Sequence, residues 1–173
     1  FILLFLKYLK FSNNKYLSKG KKLPFNLPIV FVFVLLLQIT IGAFVSGLDA
    51  GQIYQTWPLM DQNYFPDDST ISDLFSLKSF NTPSLVQFLH RNIAYLIFIF
   101  FIYFVFLIFR NDEYNYLRKT AFIIFLSLFF QIFLGILTIL SGAQILLASL
   151  HQIGSIILIS TSLILVVKSS KTN

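Results

Sequence analysis

Two histidines, His90 and His151, are the only strong nitrogen ligands in a chain of 173 residues that contains no cysteine. The missing cysteines exclude disulfides, iron–sulfur ligation, thiolate zinc sites and a cysteine nucleophile, which leaves imidazole for metal chemistry. Each histidine follows a leucine and lies one to two turns into an apolar stretch, counting from helix starts near Pro83 and Leu146. Two rings at one level on parallel helices meet the demand of two axial ligands on one porphyrin. Such a bis-imidazole heme keeps no open iron position and suits electron transfer. The competing reading is that each ring hydrogen-bonds a neighbouring helix, through Gln152, Gln87 or the Gln38 and Gln131 pair. A polar ring at that depth needs some partner, because no bulk water satisfies its nitrogens.

The surroundings of the histidines allow both readings. Ala94 one turn after His90, and Ser155 with Gly154 after His151, would leave room for a flat macrocycle; small residues equally let helices approach. Arg91 is the one cation inside the expected helices. It can pair with heme propionates through bidentate bonds or serve as a snorkelling interfacial anchor. No glutamate lies within a span, and no Ser-His-Asp set, phosphate loop or HExxH zinc motif occurs. Asp49, Asp67 and Asp68 are expected to cap helices or hold a loop rather than catalyse. No residue of this chain is assigned a catalytic role.

The elements that must position these residues are membrane spans. The chain is 57% hydrophobic and 12% charged, with a mean hydropathy of +0.79, too apolar to cover a soluble globule. Four charge-free blocks reach the roughly 20 residues that a bilayer core requires. They run about Pro28 to Leu48, Asn92 to Phe109, Thr120 to Leu140 and Leu146 to Val167. Asn81-Thr82-Pro83 reads as a helix cap followed by a first-turn proline, so the second helix is expected from Pro83, with His90 and Arg91 inside it. The net charge of +6 does not indicate nucleic acid, because the cations are segregated. Lys7 to Lys22 precede the first span, Arg110, Arg118 and Lys119 separate the second and third, and Lys168 and Lys171 follow the fourth. The positive-inside rule then puts both termini on the matrix or cytoplasmic side.

The outer connection, about Leu48 to Thr82, is too long for a simple hairpin. Its prolines and aromatics favour an ordered cap on the membrane surface over a flexible loop. A weak repeat also appears: Gln38-Ile39-Thr40-Ile41-Gly42 matches Gln131-Ile132-Phe133-Leu134-Gly135, and each is followed by a helix with Leu-His. The expected fold is therefore an all-α membrane protein, a four-transmembrane-helix bundle made of two pseudo-symmetric helical hairpins.

Several motifs carry a family resemblance. Gly42 through Gly51 (GAFVSGLDAG), Thr56-Trp57-Pro58-Leu59-Met60 and Phe65-Pro66-Asp67-Asp68 resemble the outer loop of the heme A synthase family. Asn81-Thr82-Pro83, Val86 through Arg91 (VQFLHR) and Leu150 through Ser155 (LHQIGS) are similar to that family in the same order. The match covers roughly residues 25 to 167, and is to the carboxy-terminal half of the mitochondrial and alphaproteobacterial branch. The resemblance implies an eight-span protein of two related halves that oxidises the C8 methyl of heme O to the formyl group of heme A. It implies that His90 and His151 bind heme b, while the histidines and glutamate of the substrate site belong to a first half that this sequence lacks.

On that basis residues 1–23 are expected to be the remnant of a preceding transmembrane helix and a basic inner linker. Residues 24–167 form the four-helix heme-binding half with its outer loop at 48–82, and 168–173 an inner tail. Implied partners are membrane lipid, the heme O substrate, the amino-terminal half of the same protein and an electron donor such as ferredoxin. A homo-oligomer is a further partner to test, and nucleic acid is excluded. The implied location is the mitochondrial inner membrane or, alternatively, an alphaproteobacterial inner membrane. The rival function is a b-type cytochrome subunit that only carries electrons, followed by a non-heme membrane scaffold.

Overall fold

A computed structural model of the chain describes residues 23–170. The helix remnant expected over residues 1 to 11 and the lysine-rich stretch to Lys22 lie outside the described residues. Four helices long and apolar enough to cross a membrane follow one another: α1 (Leu27–Gly47), α2 (Pro83–Arg110), α3 (Asn115–Leu140) and α4 (Ile145–Ser170). No strand is assigned among the described residues. Around the bundle α1 packs on α2, α2 on α3, α3 on α4 and α4 back on α1, so that α2 and α4 face each other across the interior.

The helix ends follow local chemistry. Pro83 opens α2 after Thr82 in an extended conformation, as a first-turn proline should. Asn111 accepts the Glu113 N–H at 3.0 Å and turns the chain into α3 through a short 3-10 turn, Asp112–Tyr114. α3 closes with Gly142 and Ala143 at positive φ; the Ala143 N–H reaches Thr138 O at 2.8 Å and the Gly142 N–H reaches Ile139 O at 3.0 Å. That 6→1 and 5→2 pair satisfies carbonyls the helix end would otherwise leave bare. Besides α2, whose early start the cap motif predicts, two helices outrun their charge-free blocks. α3 starts at Asn115 rather than Thr120, and α4 reaches Ser170 rather than Val167, because cations at a membrane boundary interrupt hydropathy without interrupting a helix.

Apolar packing concentrates at the end away from the long loop. Phe31 of α1 lies with its ring centre 5.0 Å from Phe101 and 6.3 Å from Phe104, in a core completed by Leu117, Ile124 and Leu165. Outward side chains such as Phe33, Leu96, Ile99 and Phe129 are exposed, as lipid-facing residues must be in a protein that buries its backbone bonds within helices. Truncating Phe31 to Ala should cost about 3–5 kcal/mol. Thermal unfolding in detergent checks this: Phe31→Ala should lower the midpoint clearly, whereas Phe33→Ala should leave it nearly unchanged.

The long connection is ordered, as the cap reading expected, by short-range hydrogen bonds. Met60 and Asn63 pair through their backbones at 2.7 and 3.3 Å, and Thr56 Oγ1 takes the Asp61 N–H at 2.7 Å. Thr70 and Asp73 form a reciprocal capping box at a 3-10 turn, Ile71–Phe75. The hydrogen bonds from Thr70, then that from Lys78, hold the Asp73 carboxyl below its ordinary value. Asp49 enters the loop in the left-handed region at φ 49°, a conformation short polar side chains tolerate.

Candidate functional site

The end of the bundle beneath the loop is polar. His90 is the eighth residue of α2 and His151 the seventh of α4, so both lie roughly 9 to 10 Å along their helices at about 1.5 Å per residue. Because α2 and α4 are diagonal neighbours, the two rings meet in the interior, with centres 6.5 Å apart and planes inclined by 77°. The sequence-based expectation of equal depth is met, and the rings converge.

Each ring is seated on a glycine of the preceding helix. A Cβ added at Gly42 of α1 would stand 3.1 Å from His90 Cε1, and one added at Gly135 of α3 would stand 3.1 Å from His151 Cε1. One turn earlier on the same faces lie Gln38 and Gln131. Gln38 Nε2 is 3.3 Å from His90 Nε2 and donates to the His90 carbonyl at 3.0 Å. The Gln131 carboxamide fills the space over Gly154. Gln38 is thus one of the partners that the competing reading named. Gln87 instead donates to Tyr54 O at 2.9 Å, and Gln152 is exposed. The glycine contacts, unlike the glutamines, went unrecognised in the sequence; their only trace was the Gln-x-x-x-Gly repeat.

The protein does not satisfy the two rings fully. Nδ1 of His90 and Nδ1 of His151 are buried without a hydrogen-bond partner, and such an orphan costs about 1–3 kcal/mol. A metal ion between the rings accounts for the spacing. With metal–imidazole bonds of about 2.0–2.1 Å, and each ring centre about 1 Å beyond its nitrogen, two imidazoles on one metal hold their centres about 6 Å apart. Among the described residues, no group of three or more His, Cys, Asp or Glu converges to complete a protein-only metal site. The donor set therefore fits a metal whose other four positions come from a macrocycle.

Arg91 points elsewhere than its neighbour, as successive helical residues must. It is only 6% exposed. Its guanidinium donates to Tyr54 O at 2.9 Å and Leu59 O at 3.1 Å, clasping the loop to α2, while its Nε is buried without a partner. The clasp is reinforced nearby. The Tyr54 hydroxyl donates to Asp67, and the Tyr64 hydroxyl donates to Asn92 of α2. Burial first, and then the bond to Asp67, push the Tyr54 hydroxyl up to about 12, so it remains a proton donor at any physiological pH. Asp68 accepts from Ser69 at 2.9 Å. Loop residues also reach the second hairpin, where Gly51 lies against Ala143 and the Gln55 carboxamide against Gly142. The loop therefore contacts both hairpins at the end of the bundle that holds the two rings. Ala94 and Ser155, the small residues expected beside the histidines, are partly buried, and Ser155 bonds to Gln152 O at 2.7 Å.

Comparison with known proteins bears on this arrangement. The family model described as cytochrome oxidase assembly protein, COX15-CtaA, matches residues 1–163. A heme A synthase of Pelagibacter ubique is 42% identical over 171 residues, covering 98% of this chain and 50% of its own. The heme A synthase of Rickettsia conorii is 38% identical over 140 residues, 79% of this chain and 41% of that one. That of Bartonella tribocorum is 35% identical over 156 residues, 87% and 42%. The chain thus spans about half the length of these relatives or less. No solved structure matches it. With a matched model over nearly its whole length and several relatives of one name, the chain belongs to the cytochrome oxidase assembly family of the heme A synthases.

Proposed function

We propose that this chain is the heme b-binding, carboxy-terminal half of a heme A synthase, serving oxidation of the C8 methyl of heme O to the formyl group of heme A for cytochrome c oxidase. The observation that carries the reading is the facing pair His90 and His151, 6.5 Å apart, each with a buried ring nitrogen that the protein leaves without a partner. Coverage of about half of each relative supports assignment to one half, and the order of the histidine and loop motifs supports the carboxy-terminal one.

In this reading His90 and His151 would hold heme b, which would supply one-electron transfer when bound. The chain's own residues hold the imidazoles level, exclude water beneath the clasped loop and keep polar donors around the two rings. Arg91 would serve a propionate through its unpartnered Nε in addition to clasping the loop. The substrate heme and its oxidation belong to residues upstream, with electrons delivered by a donor such as ferredoxin and membrane lipid enclosing the bundle. A homo-oligomer is part of the proposal to be tested. The clustering of Arg110, Arg118 and Lys168 at the end opposite the loop supports placing that end on the matrix or cytoplasmic side. The host membrane is then a mitochondrial inner membrane or, as the bacterial relatives suggest, that of an alphaproteobacterium.

The test is formation of heme A. Expressed within its complete reading frame in cells lacking their own synthase, the protein should yield heme A in extracted hemes resolved by chromatography. Absence of heme A, despite expression and bound heme, would favour a b-type cytochrome, because the imidazole pair alone serves both.

A further inference from the structure

The repeat that links the two hairpins has a structural counterpart that goes beyond ligation. Gln38 and Gly42 lie four residues apart on one face of α1, and Gln131 and Gly135 do so on α3. Gln38 and Gly42 both meet His90 of the next helix, and Gly135 meets His151 of the helix after its own. The glycine contacts agree closely, with Cε1 of either ring 3.1 Å from where a Cβ would stand, well inside the roughly 3.5–4.0 Å of an ordinary carbon contact. These glycines are not generic helix-packing positions. Gly47, in the same helix as Gly42, has nothing within 4 Å of its added Cβ.

We propose that Gly42 and Gly135 are positioning residues, two equivalent seats that fix the planes of His90 and His151, with Gln38 bracing His90 one turn away. The proposal rests on the heme reading above. Seated this way, the rings are held nearly perpendicular at 77°, instead of turning to relieve their own crowding. Partners outside the coordination shell orient metal-bound imidazoles and tune the metal they hold. A methyl group at either seat must therefore tilt one ring and change the angle between the two.

The experiment compares Gly42→Ala, Gly135→Ala and Gly47→Ala in the heme-loaded protein expressed in its complete reading frame. Ferric low-spin electron paramagnetic resonance reads the angle between axial imidazole planes, potentiometric titration reads the heme, and pyridine hemochrome analysis reads heme per chain. Gly42→Ala and Gly135→Ala should each shift the largest g value and the midpoint potential, while Gly47→Ala overlays the unmodified protein. Loss of heme from a folded, monodisperse Gly42→Ala or Gly135→Ala protein, with heme retained in Gly47→Ala, also supports the seats. If either seat variant misfolds, Gln38→Leu is read by the same two signals. Signals unchanged in every seat variant, with low-spin heme present in the unmodified protein, overturn the proposal and spare the heme reading. An unmodified protein without low-spin heme overturns both.

Discussion

Replacing His90 or His151 singly by Ala should abolish the low-spin heme spectrum of the purified protein. The two rings are the only imidazoles in the chain, and they face each other across the bundle, so no spare ligand can substitute. Loss of an outer-shell partner of a metal ligand costs about 10–100-fold in affinity, and loss of the ligand itself should exceed that. Heme per chain should fall to near background, or any residual heme should turn high-spin. Stability should move the other way. Because Nδ1 of His151 is buried with no partner, the heme-free His151→Leu protein sheds an unsatisfied group worth about 1–3 kcal/mol and should be no less stable than the heme-free parent. A residue whose removal abolishes binding yet spares the fold is there for the ligand. An unchanged low-spin spectrum in both alanine variants would exclude the ligand assignment.

Arg91→Met should release the loop without melting the bundle. The guanidinium is almost fully buried and donates to two main-chain carbonyls, Tyr54 O and Leu59 O. Hydrogen bonds from a charged donor are worth about 1.5–3 kcal/mol each, so the loop should lose about 3–6 kcal/mol of attachment. Gln87 still serves Tyr54 O, but Leu59 O would have no remaining side-chain donor among the hydrogen bonds described apart from that of Thr56. Trp57, the chain's single tryptophan, sits in this loop and reports on it directly. Its emission should change, and amide exchange over 54–63 should accelerate, while α3 and α4 remain protected. Arg91→Lys should rescue only in part, since an ammonium lacks the planar fork that spans two acceptors. Equal exchange in variant and parent would show that the clasp does not hold the loop.

These expectations separate what a linear sequence reveals from what it conceals. The four spans were legible because a bilayer demands long apolar runs, and the start of α2 was legible because Asn81-Thr82-Pro83 carries cap chemistry. The level of the two histidines followed from counting residues. The true start of α3 did not, because Arg118 and Lys119 end a charge-free block while the helix continues back to Asn115. The seats at Gly42 and Gly135 were visible only as a repeat, since the ring each touches lies on another helix and no local pattern announces the contact. Arg91 illustrates the limit most clearly. Its observed partners are backbone carbonyls, which every residue has, so nothing in the side-chain sequence pointed to Tyr54 and Leu59 as the groups it binds. The sequence alone allows propionates or headgroups as its partners, and the loop clasp exists only in the fold.

The account stands on two imidazoles sharing one heme iron, and near-infrared magnetic circular dichroism of the purified ferric protein tests that most directly. The charge-transfer band in this region reports the identity of the axial pair. A band at the bis-imidazole position, at one heme per chain, is the predicted result. A high-spin signal, a band from any other ligand pair, or protein that folds and purifies with no heme at all would contradict it.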